Sequence, residues 1–155
     1  MSDSEIGPSD ISGTHLWLIL MKAHRALAQV DAQSIAASKL GLSDFAVLEI
    51  LLHKGPLPVN TVGKQVMLTS GSITTAVDRL EEKRLVRRQA CPNDRRVTFV
   101  TLTAAGRALI QRVFKVHADR LETLFEPLST SERSTLATLL KKLGKHAERM
   151  LDLRG

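Results

Sequence analysis

Five side chains between Ser70 and Arg79 share one side of a helical repeat: Ser70, Ser72, Thr74, Thr75 and Arg79. Ile73, Val77 and Leu80 recur on the other side at i, i+4 and i+7, the spacing of a buried helix face. A face meant only for solubility would carry Glu and Lys. Short hydroxyls beside one guanidinium instead let a helix come close to another surface. The major groove of duplex DNA is such a surface, because it admits one helix and presents donors and acceptors at its base edges. Thr69 or Ser70 can cap the helix start, leaving free N–H groups and the positive dipole end directed at phosphate. The competing reading is a solvated face of a core helix, with Arg79 pairing to Glu82 three residues on.

Composition bears on the partner. The 155-residue chain carries a formal net charge of +6, and lysine and arginine displace counterions condensed on a polyanion. Aromatic residues make up only 3% and tyrosine is absent, which leaves little for the base stacking typical of single-strand binders. The one cysteine, Cys91, excludes an intramolecular disulfide framework and fits a reducing compartment. No run of about 18 apolar residues and no charged-then-apolar leader pattern is present, so a soluble cytoplasmic protein with no membrane partner is expected.

The elements that must position the hydroxyl face follow from period and punctuation. Residues up to about Gly13 read as a loose tail. A long alanine-rich helix is expected from Thr14, too long for a small domain to cover alone, so that part of it packs against another chain. Ser43 signals a second helix carrying Phe45, Leu48, Leu51 and Leu52, ended by Gly55 and Pro56. A short helix over residues 59–66 turns at Met67 and Leu68 into the hydroxyl-bearing helix, which is a helix-turn-helix order. Lys64 and Gln65 point outward from it, toward phosphate or simply solvent. Residues 85–90 and 97–102 alternate as two strands of a hairpin whose loop, Cys91-Pro-Asn-Asp-Arg-Arg96, is basic. A helix from Thr103 to near Pro127 and a last helix, opened by the capping box Ser129-Thr-Ser-Glu132, complete the chain.

With the hairpin in place, the chain resembles the MarR family of winged helix-turn-helix regulators. The residues that carry the likeness are Leu68-Thr-Ser-Gly-Ser-Ile-Thr-Thr-Ala-Val-Asp-Arg-Leu80, Lys83-Arg-Leu-Val-Arg-Arg88, Asn93-Asp-Arg-Arg96, and Val100-Thr-Leu-Thr103 with Gly106. The resemblance implies a mainly α fold with a small β-hairpin wing (α+β). Residues 41–103 would be the DNA-binding domain, and 14–40 with 104–155 a helical dimerisation region. It implies a homodimeric transcriptional regulator, probing a pseudo-palindromic operator, that acts as a repressor released by a small aromatic or phenolic ligand. The alternative is a constitutive architectural or RNA-binding winged-helix protein without an effector.

By position, Ser70, Ser72, Thr74 and Thr75 would meet bases or adjacent phosphates. Arg96 would enter the minor groove, braced by Asp94, with Arg95 a possible substitute for it. Two departures stand out: Cys91 occupies a position often acidic, and Arg84 one where glycine commonly ends the recognition helix, which resists a left-handed cap. A ligand between the first, second and fifth helices would be lined by Trp17, His24, Leu48 and Phe114, which equally suit ordinary packing. Cys91 is either a thiol activated by nearby arginines or a small residue at a strand end; thiol sensors of this family carry theirs near the first helix, where this chain has none. His15, His24, His53, His117 and His146 form no tight pair and no zinc spacing, so no metal or other cofactor is expected. No nucleophile, base and orienting group can be assembled, so no enzyme is expected.

Overall fold

The computed structural model describes residues 11–153, so most of the expected tail lies outside it. The element order is α1 (Gly13–Ala36), α2 (Leu42–Lys54), β1 (Leu57–Pro58), α3 (Val59–Gln65), α4 (Ser70–Glu82), β2 (Val86–Ala90), β3 (Thr98–Leu102), α5 (Ala104–Leu124) and α6 (Thr130–Asp152). The mainly helical architecture with a small antiparallel sheet is the fold class expected from the sequence. Two compact units are present, one ending at Ala118 and the other beginning at Asp119, so that α5 contributes to both.

The first unit is organised round α4. Its buried face comprises Ile73, Ala76, Val77 and Leu80, packed in one cluster with Phe45, Val47, Leu48 and Leu51 of α2, Val62 of α3, Val86, Val100 and Leu102 of the sheet, and Ile110 of α5. Removing such side chains from water contributes about 2 kcal/mol each. Where α3 crosses α4, Gly63 lets the helices close up, since a Cβ there would stand 3.1 Å from Cγ2 of Ile73.

α2 begins one residue before the expected start, with Gly41 as its N-cap, and Ser43 is inside the helix. The hairpin is in fact two strands of a three-stranded sheet in the order β1-β3-β2. β1 pairs antiparallel with β3 through Leu57↔Val100 and Pro58↔Phe99. Proline suits this position because a short edge strand can spare a donor.

The end of α4 settles the doubt raised by Arg84. Its φ is +58°, and two bonds close the turn: Arg84 N–H to the Glu81 carbonyl at 2.8 Å, and Leu85 N–H to the Leu80 carbonyl at 2.9 Å. This is a Schellman end with arginine where glycine is favoured. α3 ends in the same manner at Met67, φ +55°, through Met67 N–H to Lys64 O (3.3 Å) and Leu68 N–H to Gly63 O (2.9 Å).

α5 starts directly against this turn. The Thr103 hydroxyl donates to the Arg84 carbonyl at 2.8 Å and accepts from the Gly106 N–H at 3.0 Å. A Cβ on Gly106 would lie 1.9 Å from the Leu85 carbonyl oxygen, so only glycine fits.

In the second unit, Ser129 and Glu132 form the expected reciprocal cap of α6. Hydrogen bonds from the side chain and backbone of Ser129 hold the Glu132 carboxyl below its usual range. Arg133 donates to the carbonyls of Phe125 (3.1 Å) and Leu128 (3.2 Å) and to Glu122 (2.6 Å), fixing the turn into α6. No residue of α6 is buried.

Gly106→Ala is expected to lower the unfolding free energy by roughly 2 kcal/mol, the scale of an overpacked site whose obstacle is backbone. Urea denaturation of the two proteins measures it; an unchanged midpoint would contradict the close approach.

Candidate nucleic-acid interface

Thr69 is the N-cap of α4, its hydroxyl accepting from the Ser72 N–H at 3.2 Å and donating to the Ser72 hydroxyl at 2.8 Å. No acidic residue occupies the first turn, so the positive end of the helix is not neutralised from within. Ser70, Ser72, Thr74 and Thr75 are all exposed. The threonine hydroxyls donate back along the helix, Thr74 to Ser70 O at 2.9 Å and Thr75 to Gly71 O at 3.0 Å. With their protons so engaged these hydroxyl oxygens are left as acceptors, chemistry that suits donor groups at a groove edge.

The five sequence candidates on α4 divide between two recesses. Ser70 and Thr74 line a groove of about 560 Å³ together with Lys64 of α3, Arg88 and Thr98 of the sheet, and Arg96 of the wing loop. Ser72, Thr75 and Arg79 line a second hollow of about 480 Å³ with Ser43 and Thr69. The start of α4 is thus a ridge with a hollow on either side. Such a shape can enter a furrow.

Arg79, which lines the second hollow, is tied back to α2. Its Nε donates to both carboxylate oxygens of Asp44 (3.0 and 3.1 Å), and its Nη2 donates to Asp44 and, at 3.2 Å, to the Ser43 hydroxyl. Glu82 is not its partner. Asp44 is only 2% exposed, and a carboxylate so placed requires ionic partners. Lys83 Nζ supplies a second at 3.4 Å. The hydrogen bond and then the charge of Asp44 hold the Arg79 guanidinium above its ordinary value.

Arg88 makes a corresponding clasp on the wing side. Its backbone N–H donates to Glu81 Oε1 at 2.9 Å, Nη1 to Glu81 Oε2 at 2.6 Å and Nη2 to Asp78 Oδ1 at 2.6 Å. Burial works against the Arg88 charge, but the two carboxylates outweigh it and its pKa is raised. The Arg88 backbone and then side-chain hydrogen bonds push the Glu81 carboxyl below its ordinary value. Arg87, its neighbour on β2, is exposed on the other side, as strand alternation requires.

At the wing tip the Asp94 carboxylate accepts from the Arg96 N–H at 2.9 Å and from its Nε at 3.3 Å, while the Arg96 side chain stays 91% exposed. Arg95 is also exposed. Gln65 is exposed but turned sideways, its Oε1 accepting from Lys54 Nζ at 2.8 Å. Cys91 is half-buried at the end of β2, its N–H bonded to Val97 O.

The four ligand-pocket candidates differ in exposure. Leu48 has no exposed surface and belongs to the core; Phe114 stacks edge-on with His53 at 4.7 Å; Trp17 and His24 stand exposed on α1. Of the five histidines weighed as metal ligands, His117 is buried, bonded to Ser34 Oγ and Asp31 Oδ1 (both 3.2 Å) and edge-on to Phe45. Among the described residues no group of three or more His, Cys, Asp or Glu could hold a metal ion, and no helix is long and apolar enough to cross a membrane.

The MarR family model matches residues 40–98. The HTH-type transcriptional regulator MhqR of Bacillus subtilis is 38% identical, covering 86% of this chain and 92% of its own. The chain belongs to the MarR family. It is a winged-helix, DNA-binding transcriptional regulator and not an enzyme. Among solved structures of the family, a cysteine-to-serine mutant of MarR from E. coli, in complex with operator DNA, superposes with a TM-score of 0.72 at 25% identity over 83% of this chain and 92% of that one. BpsR of Bordetella bronchiseptica, described for regulation of its DNA binding by 6-hydroxynicotinic acid, gives 0.72 at 28% identity over 83% and 98%.

Two consequences are measurable. Arg79→Ala leaves Asp44 buried against Lys83 alone and should cost roughly 2 kcal/mol of stability in denaturant titration, after allowance for the exposed side of the pair. Glu81 has a depressed folded-state pKa, so its stabilisation is complete above the ordinary value of 4.5 and is lost as pH falls through the lower folded value. Below pH 4.5, Glu81→Gln should therefore flatten the fall of stability with acid; parallel acid-unfolding curves for the two proteins would refute this.

Proposed function

We propose that the protein is a cytoplasmic, homodimeric repressor that binds a pseudo-palindromic duplex operator and is released by a small ligand. The observation that carries the DNA-binding mode is the meeting of Ser70, Thr74, Lys64 and Arg96 round one groove beside the uncovered start of α4. In this reading Ser70, Ser72, Thr74 and Thr75 face the major groove. Arg96, held by Asp94 and backed by Arg95, reaches the minor groove, where narrowing concentrates negative potential. Lys64 and Gln65 lie beside phosphate. Arg79 acts one step back, holding the recognition helix to α2.

The dimer is supported by apolar surface that water should not be left to cover. On α1, Leu16, Trp17, Leu18 and Ile19 are 49–59% exposed, and on α6 Leu139 and Leu143 are 56% and 55% exposed. Large apolar side chains left exposed in this number mark association surfaces. Two subunits related by a twofold axis would present two recognition helices to half-sites about one helical turn apart. Ligand release is supported by BpsR, whose DNA binding responds to a hydroxylated aromatic acid. Trp17 and His24 on α1 and Phe114 on α5 are the side chains proposed to meet such a ligand, and Leu48 is left to the core.

The test is a titration against duplex selected by the protein from a random-sequence library, beside unrelated duplex and structured RNA. Tight binding to the selected duplex alone is expected. Arg96→Ala should weaken it about tenfold and reduce the slope of log affinity against log salt by roughly one. Equal affinity for all three nucleic acids, or preference for RNA, would overturn the reading.

A further inference from the structure

Asp78 and Glu81 pose a problem for a surface that takes up a polyanion. Both stand on α4 beside the groove that holds Arg88 and Arg96, with side chains 54% and 39% exposed, and both carry the charge that phosphate repels. Coulombic repulsion alone would favour neutral residues at these positions.

Their contacts supply the reason. The hairpin is anchored through Val86 and Leu102 at its base and Val100 midway, all buried, but the loop over residues 91–97 extends beyond that core. Halfway along β2, opposite Val100, Arg88 binds two consecutive turns of α4 through three charge-assisted hydrogen bonds of 2.6–2.9 Å. One bond comes from the backbone of the strand itself, so the strand and not merely a side chain is tied to the helix. Asp78 and Glu81 are spaced i, i+3, which lets one guanidinium reach both. A duplex fixes the distance between a major groove and its flanking minor groove. The angle between wing and helix therefore decides whether Arg96 and the α4 hydroxyls can engage together.

We infer that Asp78 and Glu81, acting through Arg88, are positioning residues for operator binding: they set the angle of the wing against the recognition helix. This rests on the groove-and-wing reading above and adds to it two acidic residues that strengthen DNA binding. Simple electrostatics requires the opposite sign, because neutralising a carboxylate near DNA should tighten the complex.

The experiment uses the full-length protein and the library-selected duplex, with affinities from fluorescence anisotropy at one salt concentration. Glu81→Gln keeps the size of the side chain and an acceptor for the Arg88 N–H, and thermal melting confirms that it folds. It should weaken binding about tenfold, the equivalent of losing a charge-assisted bond. Asp78→Asn, at a more exposed position with one bond, should weaken it about threefold by the same logic. In an Arg96→Ala background, Glu81→Gln should cost less than about twofold more, since the wing contact it serves is already gone. Unchanged or tighter binding by Glu81→Gln, with Arg96→Ala still harmful, would overturn the positioning role and leave the groove-and-wing reading intact. Equal losses in both backgrounds would show that the effect does not pass through the wing and would overturn it as well. An Arg96→Ala protein that binds as well as the unsubstituted one would overturn both readings.

Discussion

A helix that offers only short side chains to its target must be held from behind. In α4 the hydroxyls of Ser70, Ser72, Thr74 and Thr75 leave nothing long enough to grip a neighbour on that face, so the helix is seated by Ile73, Ala76, Val77 and Leu80 on the other. That apolar face, pressed into a core built from α2, α3, the sheet and α5, is the constraint on which the rest depends. The ionic contacts are placed accordingly. Asp44 takes Arg79 and Lys83 on one flank, Arg88 takes Asp78 and Glu81 on the other, and all lie toward the C-terminal half of the helix. The N-terminal half is free of carboxylates and keeps its positive dipole end open.

Much of this was legible in the chain because the signals are local. The i, i+4, i+7 stripe of Ile73, Val77 and Leu80 marked the helix, Thr69 or Ser70 marked its start, with Thr69 proving to be the cap, and the shift to period two beyond Arg84 marked the hairpin. The bracing of Arg96 by Asp94 was implied by the family resemblance, and the two are in contact. The capping box at Ser129 is a four-residue motif and appears as expected.

What escaped was long-range or ran against a local rule. Asp44 and Arg79 are 35 positions apart, and nothing near Arg79 ranked Asp44 above Glu82 as its partner; the one available hint was an acid set beside the apolar Phe45 in the first turn of α2. His117 and Ser34 are separated by 83 positions. β1 is two residues long and includes a proline, which reads as a turn until β3 is there to pair with it. Leu48 is a pocket candidate only through the family resemblance, whereas it has no exposed surface and belongs to the buried cluster.

The turns at either end of α4 have a bearing on motion. Glycine at a left-handed position can swing through a wide range of backbone angles, and a helix bounded by two such residues would be loosely hinged. Here the two positions are Met67 and Arg84, side-chain-bearing residues confined to a narrow left-handed well and each locked by a pair of backbone bonds. Rocking of α4 independent of its neighbours is therefore costly. Any displacement that alters its reach must carry α3 and the sheet along as one stiff block.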